Sequence, residues 1–175
     1  MKRRQLLLSG ATLPLALNAC GARENNASAA PQIELGEPVM FTFGTLDGGE
    51  LSSDSTRGRT TALLFVTTYD LPSQAEALLL RDLLRSHKPR ANGAIVMLEA
   101  PRAAPLAQVW ADSLALGLPI AMASPSLLAG ESALGRIEGV PTLVVLDRRG
   151  RLVARQGGAQ SQAQIEQLLR RADST

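Results

Sequence analysis

The chain has 175 residues, of which 45% are hydrophobic and 19% are charged, which indicates one globular domain with a sizeable core. Its formal net charge is +2, and the N-terminal residues Lys2, Arg3 and Arg4 account for it, because the remainder carries 2 − 3 = −1. This balance argues against a nucleic-acid partner. The chain has one cysteine, Cys20, so the sequence beyond it offers no thiol for a disulfide, a metal or a nucleophile.

Residues 1–19 have the pattern of a signal peptide, with a basic start followed by the apolar run 6–17. The run ends in Leu-Asn-Ala-Cys, which resembles the lipobox of bacterial lipoproteins, and this resemblance implies lipidation of Cys20. A plain secretory leader and a short uncleaved anchor are the alternatives. The sequence Arg3-Arg4-Gln5-Leu6-Leu7 also resembles a twin-arginine export signal, so the export route stays open.

Residues 20–35 are rich in Ala, Asn and Ser and lack periodic apolar positions, which predicts a flexible tether. The folded domain is then expected over residues 36–175. Gly21 follows the candidate lipid-bearing cysteine, and resemblance to enterobacterial sorting implies the inner leaflet of the outer membrane. The predicted location is therefore the cell envelope, facing the periplasm and anchored through lipid.

Hydrophobic periodicity in the domain predicts alternating strands and helices. Strands are predicted at 39–43, 61–67, 94–98 and 120–123, with a final hairpin around Asp147–Val153, and helices at 72–87, 104–116 and 160–171. In the first of these helices we assign Ala75, Leu78, Leu79 and Leu83 to the apolar face and Glu76 to the polar face. The order predicts an α/β sandwich with a mixed central sheet.

Two motifs in this pattern resemble TlpA/ResA-type thioredoxin-like proteins. The segment Phe65–Ser73 (FVTTYDLPS) aligns with their FWATWCPPC pattern, and Gly139-Val140-Pro141-Thr142 aligns with their cis-proline loop. The resemblance covers about residues 36–172. It implies a thioredoxin-like α/β fold, with a mixed central β-sheet flanked by helices and an N-terminal β extension.

The redox positions of that family are substituted in this chain, with Asp70 at the place of the nucleophilic cysteine and Ser73 at that of the resolving one. A carboxylate cannot undergo thiol–disulfide exchange, so we expect no catalytic residue. Capping of the helix is the preferred role for Asp70, over a catalytic one. Ser73 would need a neighbouring base, and His87 lies about four helical turns further on, where we expect it to be solvated.

Metal and cofactor sites are also not expected. The chain has one histidine, and its cysteine is assigned to lipidation, so the soft ligands are missing. The carboxylates Glu99, Asp112 and Asp147 are interpreted as surface charges.

The loop and the cis-proline motif leave a candidate binding groove. Its predicted residues are Tyr69, Asp70, Leu71, Pro72, Val140, Pro141 and Thr142. One hypothesis is a redox-inactive module that binds an envelope protein or peptide there. The alternative is an enzyme of the thiol–disulfide oxidoreductase family that uses an external thiol or holds a thiol ligand through Ser73. Pro141 and Tyr69 each also have a purely structural interpretation, as a turn residue and as packing over the helix start.

Overall fold

A computed structural model describes residues 36–175, so the predictions for the leader, the tether and Cys20 lie outside the described residues. The secondary structure elements follow in this order: β1 (Thr42–Gly44), β2 (Glu50–Ser52), α1 (Ser53–Thr56), β3 (Thr61–Val66), α2 (Leu71–Ser86), β4 (Asn92–Met97), a 3-10 turn (Pro101–Ala103), α3 (Ala104–Ser113), β5 (Ile120–Met122), α4 (Pro125–Ala129), β6 (Thr142–Leu146), β7 (Leu152–Gly157) and α5 (Gln162–Asp173).

Five strands form the central sheet in the order β5-β4-β3-β6-β7. β3, β4 and β5 run parallel, whereas β6 is antiparallel to both β3 and β7. The predicted mixed sheet is therefore confirmed. Because β3 and β4 are parallel and joined through α2, their carboxyl ends lie at one edge of the sheet, where α/β proteins place their ligands.

Both faces of the sheet are buried. Along β3, Leu64 and Val66 contribute to the apolar cluster that includes α2, α3 and α5, while Leu63 and Phe65 contribute to a second cluster. The second cluster also contains apolar residues of the N-terminal extension and Leu127 of α4. Burial on both sides explains why β3 is a continuous apolar run without polar alternation.

The predicted N-terminal β extension is the antiparallel β1–β2 hairpin, joined to the central sheet by a bridge between Thr45 and Ala121 of β5. Its first strand begins at Thr42, three residues later than predicted, because the chain before it runs along the β6–β7 turn instead. There Val39 donates its N–H to the carbonyl of Gly150 at 2.8 Å.

The helices keep their predicted positions with shifted bounds. α3 ends at Ser113, before the predicted 116. α5 begins at Gln162 because the side chains and backbone of Ser161 and Gln164 form a capping box there. The four-residue helix α1 was not predicted.

The apolar face predicted for α2 was right for Leu83, which is buried, and for Leu78 and Leu79, which pack partly buried against the core. It was wrong for Ala75 and for the polar assignment of Glu76. Ala77, Leu80 and Leu83 are buried together with Glu76, whereas Ala75 is exposed. The reason is that α2 packs against both the sheet and α5, so its buried surface is wider than one stripe of leucines and includes positions that carry polar side chains.

The prediction of a solvated His87 was also wrong. The His87 side chain is only 8% exposed, and its Nε2 lies 2.8 Å from Oδ2 of Asp173 at the end of α5. The other oxygen of that carboxylate accepts a hydrogen bond of 2.7 Å from the Thr60 hydroxyl. Asp173 therefore ties α5 to the end of α2 and to the start of β3.

Replacing Asp173 with alanine is expected to lower the free energy of unfolding by about 1–3 kcal/mol, because two largely buried polar partners lose their acceptor. Urea unfolding followed by circular dichroism measures the change. Asp112→Ala removes a carboxylate from the exposed side of α3 and is the matched control. An equal, small effect of the two substitutions would show that the link contributes nothing.

Asp147 is a buried residue and not the surface charge that the sequence suggested. It is 2% exposed, and Oδ1 accepts hydrogen bonds from the N–H groups of Arg149 and Arg151. The Arg151 guanidinium contacts Oδ2 at 2.7 Å. Asp147 thus shapes the β6–β7 turn. Asp112, which was also interpreted as a surface charge, is exposed as expected.

Candidate functional site

The two resembling motifs meet at the carboxyl edge of the parallel strands. β3 ends at Val66, and residues 67–70 lead from it into α2. The segment 130–141 precedes β6, whose first residue, Thr142, pairs with Phe65 near the end of β3. The topology thus brings the Tyr69-Asp70 loop and the Val140-Pro141 loop to the same edge.

Asp70 is the N-cap of α2. Its Oδ2 accepts hydrogen bonds from the N–H of Ser73 at 2.8 Å and from the Ser73 hydroxyl at 2.6 Å. Ser73 has no exposed surface. The preferred structural role of Asp70 agrees with this geometry, and the buried Ser73 hydroxyl, held by a carboxylate, is poorly placed to attack or hold a ligand.

The loop before α2 is held by Glu99, which follows β4. Its Oε1 accepts hydrogen bonds from the N–H of Thr68 at 3.2 Å and from the Thr68 hydroxyl at 2.7 Å. The other oxygen, Oε2, is buried and has no partner within residues 36–175. Glu99 is therefore a loop-positioning residue, which corrects its interpretation as a surface charge.

The peptide bond between Val140 and Pro141 is cis, as the motif predicted. Pro141 and Thr142 are buried, and the Thr142 hydroxyl donates to the carbonyl of Gly139 at 2.7 Å. Gly158 donates its N–H to the carbonyl of Pro141 at 2.8 Å. Val140 differs, since its N–H and C=O make no hydrogen bond within residues 36–175. Of the three predicted groove residues in this loop, Val140 is the one that presents polar backbone groups.

A cavity of about 280 Å³ lies between the two loops and brings Tyr69 and Val140 together. We call it the Tyr69 groove; its walls are Thr67, Tyr69, Leu98, Leu127, Leu128, Ile137, Glu138, Gly139 and Val140. The side chain of Tyr69 is 79% exposed and that of Leu128 is 46% exposed. A large aromatic side chain that is mostly in solvent does not serve as packing over the helix start.

The other predicted groove residues are placed differently. Leu71 and Pro72 are exposed on the first turn of α2, with Leu71 73% exposed, but neither lines the Tyr69 groove. The structure thus joins Tyr69 and Val140 in one cavity, whereas Asp70, Pro141 and Thr142 do not line it. Seven of the nine wall residues were missed, and among them Leu98, Leu127, Leu128 and Ile137 come from segments outside the two motifs.

One hydroxyl in the groove lacks a partner. Thr67 lines the cavity, is 4% exposed, and its Oγ1 makes no hydrogen bond to the described residues. A buried hydroxyl without a partner carries a desolvation penalty, which a polar atom of a bound molecule would relieve. The groove therefore combines apolar walls with one unsatisfied polar group.

A second cavity, of about 460 Å³, shares the walls 137–140 with the groove and is also lined by Thr142. Two arginines line it. Arg155 lies across the carbonyl of Leu134, to which its guanidinium donates, while Arg136 is exposed. Arg155 therefore holds the segment 130–141 through its hydrogen bond to Leu134.

Glu76, one turn into α2, is a titratable group that sequence reasoning missed. It is 2% exposed, and its Oε2 accepts a hydrogen bond of 3.1 Å from the N–H of Gln160. Burial raises the pKa of Glu76 from its usual 4.5 to about 7, while the Gln160 hydrogen bond opposes this shift. The spacing to Leu80 and Leu83, four and seven residues on, was the available signal that Glu76 shares their buried face.

Among residues 36–175 no group of three His, Cys, Asp or Glu side chains is arranged to hold a metal ion. In the same part of the chain, no helix combines the length and the apolar character that crossing a bilayer requires.

The sheet order, the helix that follows β3 and the cis-proline before β6 define a thioredoxin-like α/β fold. No protein-family model and no curated protein matches the sequence. Solved structures do match, among them thioredoxin-family thiol:disulfide oxidoreductases and their relatives.

Three of these structures illustrate the similarity. A thioredoxin-family thiol:disulfide interchange protein from Chlorobium tepidum is 24% identical over 79% of this chain and 97% of its own, with a TM-score of 0.64. A DsbF homologue from Corynebacterium diphtheriae is 14% identical over 78% and 87%, with a TM-score of 0.68. The exposed lipoprotein thioredoxin Etrx1 from Streptococcus pneumoniae is 17% identical over 75% and 98%, with a TM-score of 0.62. At these identities the similarity establishes the fold.

Proposed function

We propose that this protein is a redox-inactive, lipid-anchored module of the cell envelope that binds an extended peptide segment of another envelope protein in the Tyr69 groove. The observation that carries the proposal is the pairing, in one cavity, of an exposed Tyr69 with the unbonded backbone of Val140. An extended peptide pairs its backbone with free N–H and C=O groups and places alternate side chains in neighbouring pockets.

The groove also favours a particular side chain on the bound peptide. Its walls are mainly aliphatic, and a volume of about 280 Å³ accommodates one large apolar side chain. The unpaired hydroxyl of Thr67 adds a hydrogen-bonding group at the wall. A peptide with a bulky apolar residue beside a polar one fits this combination best.

Redox inactivity follows from the composition of the site. Residues 21–175 contain no cysteine, and thiol–disulfide exchange needs a thiolate. The alternative, an enzyme that holds a thiol ligand through Ser73, has the fold of thiol:disulfide oxidoreductases in its favour. The complete burial of Ser73 and its bond to Asp70 count against it.

The location rests on the leader. The lipobox-like sequence before Cys20 implies a lipid anchor, and the similar Streptococcus pneumoniae structure is described as that of an exposed lipoprotein. Mass spectrometry of the protein purified from membranes tests this part, since acylation at Cys20 adds the mass of the fatty acyl chains.

Peptide selection tests the groove. A random library of displayed peptides is selected on a fragment of residues 33–175, and affinities are measured for the wild type and for Tyr69→Ala/Leu128→Ala. We expect a loss of at least about tenfold, because these side chains form exposed apolar walls of the cavity.

The matched control is Leu106→Ala/Val109→Ala, which removes two exposed apolar side chains from α3. This variant is expected to bind the selected peptides as the wild type does. Peptides that bind both double variants equally well would place recognition on another surface and overturn the proposal.

A further inference from the structure

At the end of the domain opposite the Tyr69 groove, three turns carry five exposed cationic residues, which we call the basic pole: Arg59, Lys88, Arg90, Arg148 and Arg149. Arg59 lies two residues before the start of β3, and Arg148 lies in the turn after β6. Since β6 runs antiparallel to β3, the end of β6 meets the start of β3, at Leu146 and Thr61. A cavity of about 220 Å³ gathers Arg59, Arg90 and Arg148 at one place.

The cations of the basic pole have no ion-pair partner within residues 36–175, unlike many others in the domain. Arg57, Arg81, Arg85, Arg151 and Arg170 each lie within 4 Å of a carboxylate. The five residues of the basic pole form neither a salt bridge nor a side-chain hydrogen bond in the described part of the chain. Their charge is therefore available to an external anion.

Two acidic side chains at this end, Asp147 and Asp173, form hydrogen bonds or ion pairs within the domain. Asp147 pairs with the Arg151 guanidinium and accepts hydrogen bonds from two backbone N–H groups. Asp173 is hydrogen-bonded to His87 and Thr60. Two carboxylates that are not ion-paired, Asp47 and Glu50, lie across a neighbouring cavity that Arg59 and Arg90 also line. They offset part of the positive charge, as do Glu37, which is exposed beside Pro38, and Asp173, which lines the cavity of Arg59, Arg90 and Arg148. Five unpaired cations against these four carboxylates leave the side chains of this end with an excess of positive charge.

The chain enters the domain at this same end. Pro38 forms a β-bridge with Arg151, and Val39 donates to the carbonyl of Gly150, so residue 36 lies near the turn that carries Arg148 and Arg149. The described part of the chain thus begins beside the basic pole. β3 spans six residues from this end towards the groove, a distance of about 20 Å.

We propose that the basic pole docks on the anionic headgroups of a lipid bilayer and thereby turns the Tyr69 groove away from the membrane. The cations are spread over three turns, which suits a surface of many phosphates better than one small anion. Each cation near an anionic bilayer contributes attraction that salt screens. The inference rests on the proposed lipid anchor only for the presence of the bilayer, because the cationic surface is a property of the folded domain.

Flotation with lipid vesicles tests the basic pole without any anchor. Residues Ile33–Thr175 form one compact unit that contains both apolar clusters, so a fragment with these bounds carries its own core. Vesicles of phosphatidylcholine with about 40% phosphatidylglycerol are compared with pure phosphatidylcholine at low salt. We expect the fragment to float with the anionic vesicles only, and to be released at about 0.5 M NaCl.

Arg90→Gln/Arg148→Gln is expected to lower the floated fraction at least about fivefold. Arg102→Gln/Arg136→Gln makes the same change in net charge with exposed residues at the groove end, and is expected to float like the wild type. Equal loss in both variants would mean that only net charge matters, and equal flotation would mean that the basic pole is not used; either result overturns the proposal.

Two further outcomes have a defined meaning. Release by about 10 mM inorganic phosphate at constant ionic strength would indicate a discrete small-anion site and would overturn membrane docking. The Tyr69→Ala/Leu128→Ala variant is expected to float normally, and the Arg90→Gln/Arg148→Gln variant to bind peptide normally. Failure of the basic pole and failure of the groove are therefore separate results.

Discussion

Replacing Asp70 and Ser73 together with cysteine is expected to create thiol–disulfide oxidoreductase activity, because residues 21–175 of the wild type contain no cysteine. In the wild type the two side chains already face each other, with Asp70 Oδ2 and Ser73 Oγ 2.6 Å apart at the start of α2. The N-terminal end of a helix lowers the pKa of a thiol and stabilises its thiolate. The substitution therefore supplies the missing chemistry at a position whose geometry suits it.

Insulin reduction by dithiothreitol measures this activity through the turbidity of the released chains. The double variant in the 33–175 fragment is expected to accelerate the reaction at least about a hundredfold over the uncatalysed rate, and the wild type not at all. Asp70→Cys alone and Ser73→Cys alone are the controls, because neither can form the internal disulfide that completes the cycle.

The result bears on the groove as well as on the cysteines. Reduction of a protein disulfide requires that a polypeptide reach the start of α2 beside Tyr69. A double variant whose disulfide forms, as mass spectrometry would show, but which reduces insulin no faster than the wild type would indicate that this edge of the sheet does not admit polypeptides. The loss of the Asp70 cap is expected to cost about 0.5–2 kcal/mol of stability, so folding is checked by circular dichroism.

Glu76→Gln is expected to stabilise the protein at pH 8 and to leave its stability nearly unchanged near pH 4.5. Burial raises the pKa of Glu76 to about 7 from its usual 4.5. Between these values the folded protein keeps a proton that the unfolded chain loses, so the free energy of unfolding falls as the pH rises. Above pH 7 the folded protein carries the full cost of burying the ionised Glu76 side chain, which is about 3 kcal/mol at most.

Glutamine stays neutral at every pH and resembles the protonated carboxyl group. Its amide oxygen can still accept the hydrogen bond from the N–H of Gln160. Urea unfolding at pH 4.5, 6, 7 and 8 measures the effect. Glu131→Gln, on the exposed side of the α4–β6 segment, is the matched control. If the free energy of unfolding of Glu76→Gln fell towards pH 8 as much as that of the wild type, the Glu76 carboxyl group would not be the cause of the decline.

The fold could be predicted from the sequence because two motifs define its centre. The apolar run of β3 followed by the Asp70 cap, and the Val140-Pro141 pair followed by β6, specify a strand-to-helix turn and a strand start. Both are local features, set by backbone conformation and capping. The sheet order and the N-terminal hairpin then agreed with the resemblance.

The parts that could not be predicted depend on contacts between distant segments. Glu99 holds the Thr68 backbone 31 residues away, and His87 contacts Asp173, 86 residues further along the chain. No spacing rule connects such pairs. Glu76 was misassigned because polarity was taken to mean exposure, and Leu128 was missed because only the tertiary fold brings α4 to Tyr69.

The most direct measurement of the central claim is amide hydrogen exchange by nuclear magnetic resonance, on the 33–175 fragment with and without a saturating selected peptide. The N–H of Val140 has no acceptor within the described residues, so it is expected to exchange quickly in the free protein. Peptide binding in the groove is predicted to slow its exchange at least about tenfold by giving it a backbone acceptor. Unchanged exchange at Val140 in the saturated complex, with protection confined to another surface, would contradict the proposed mode of binding.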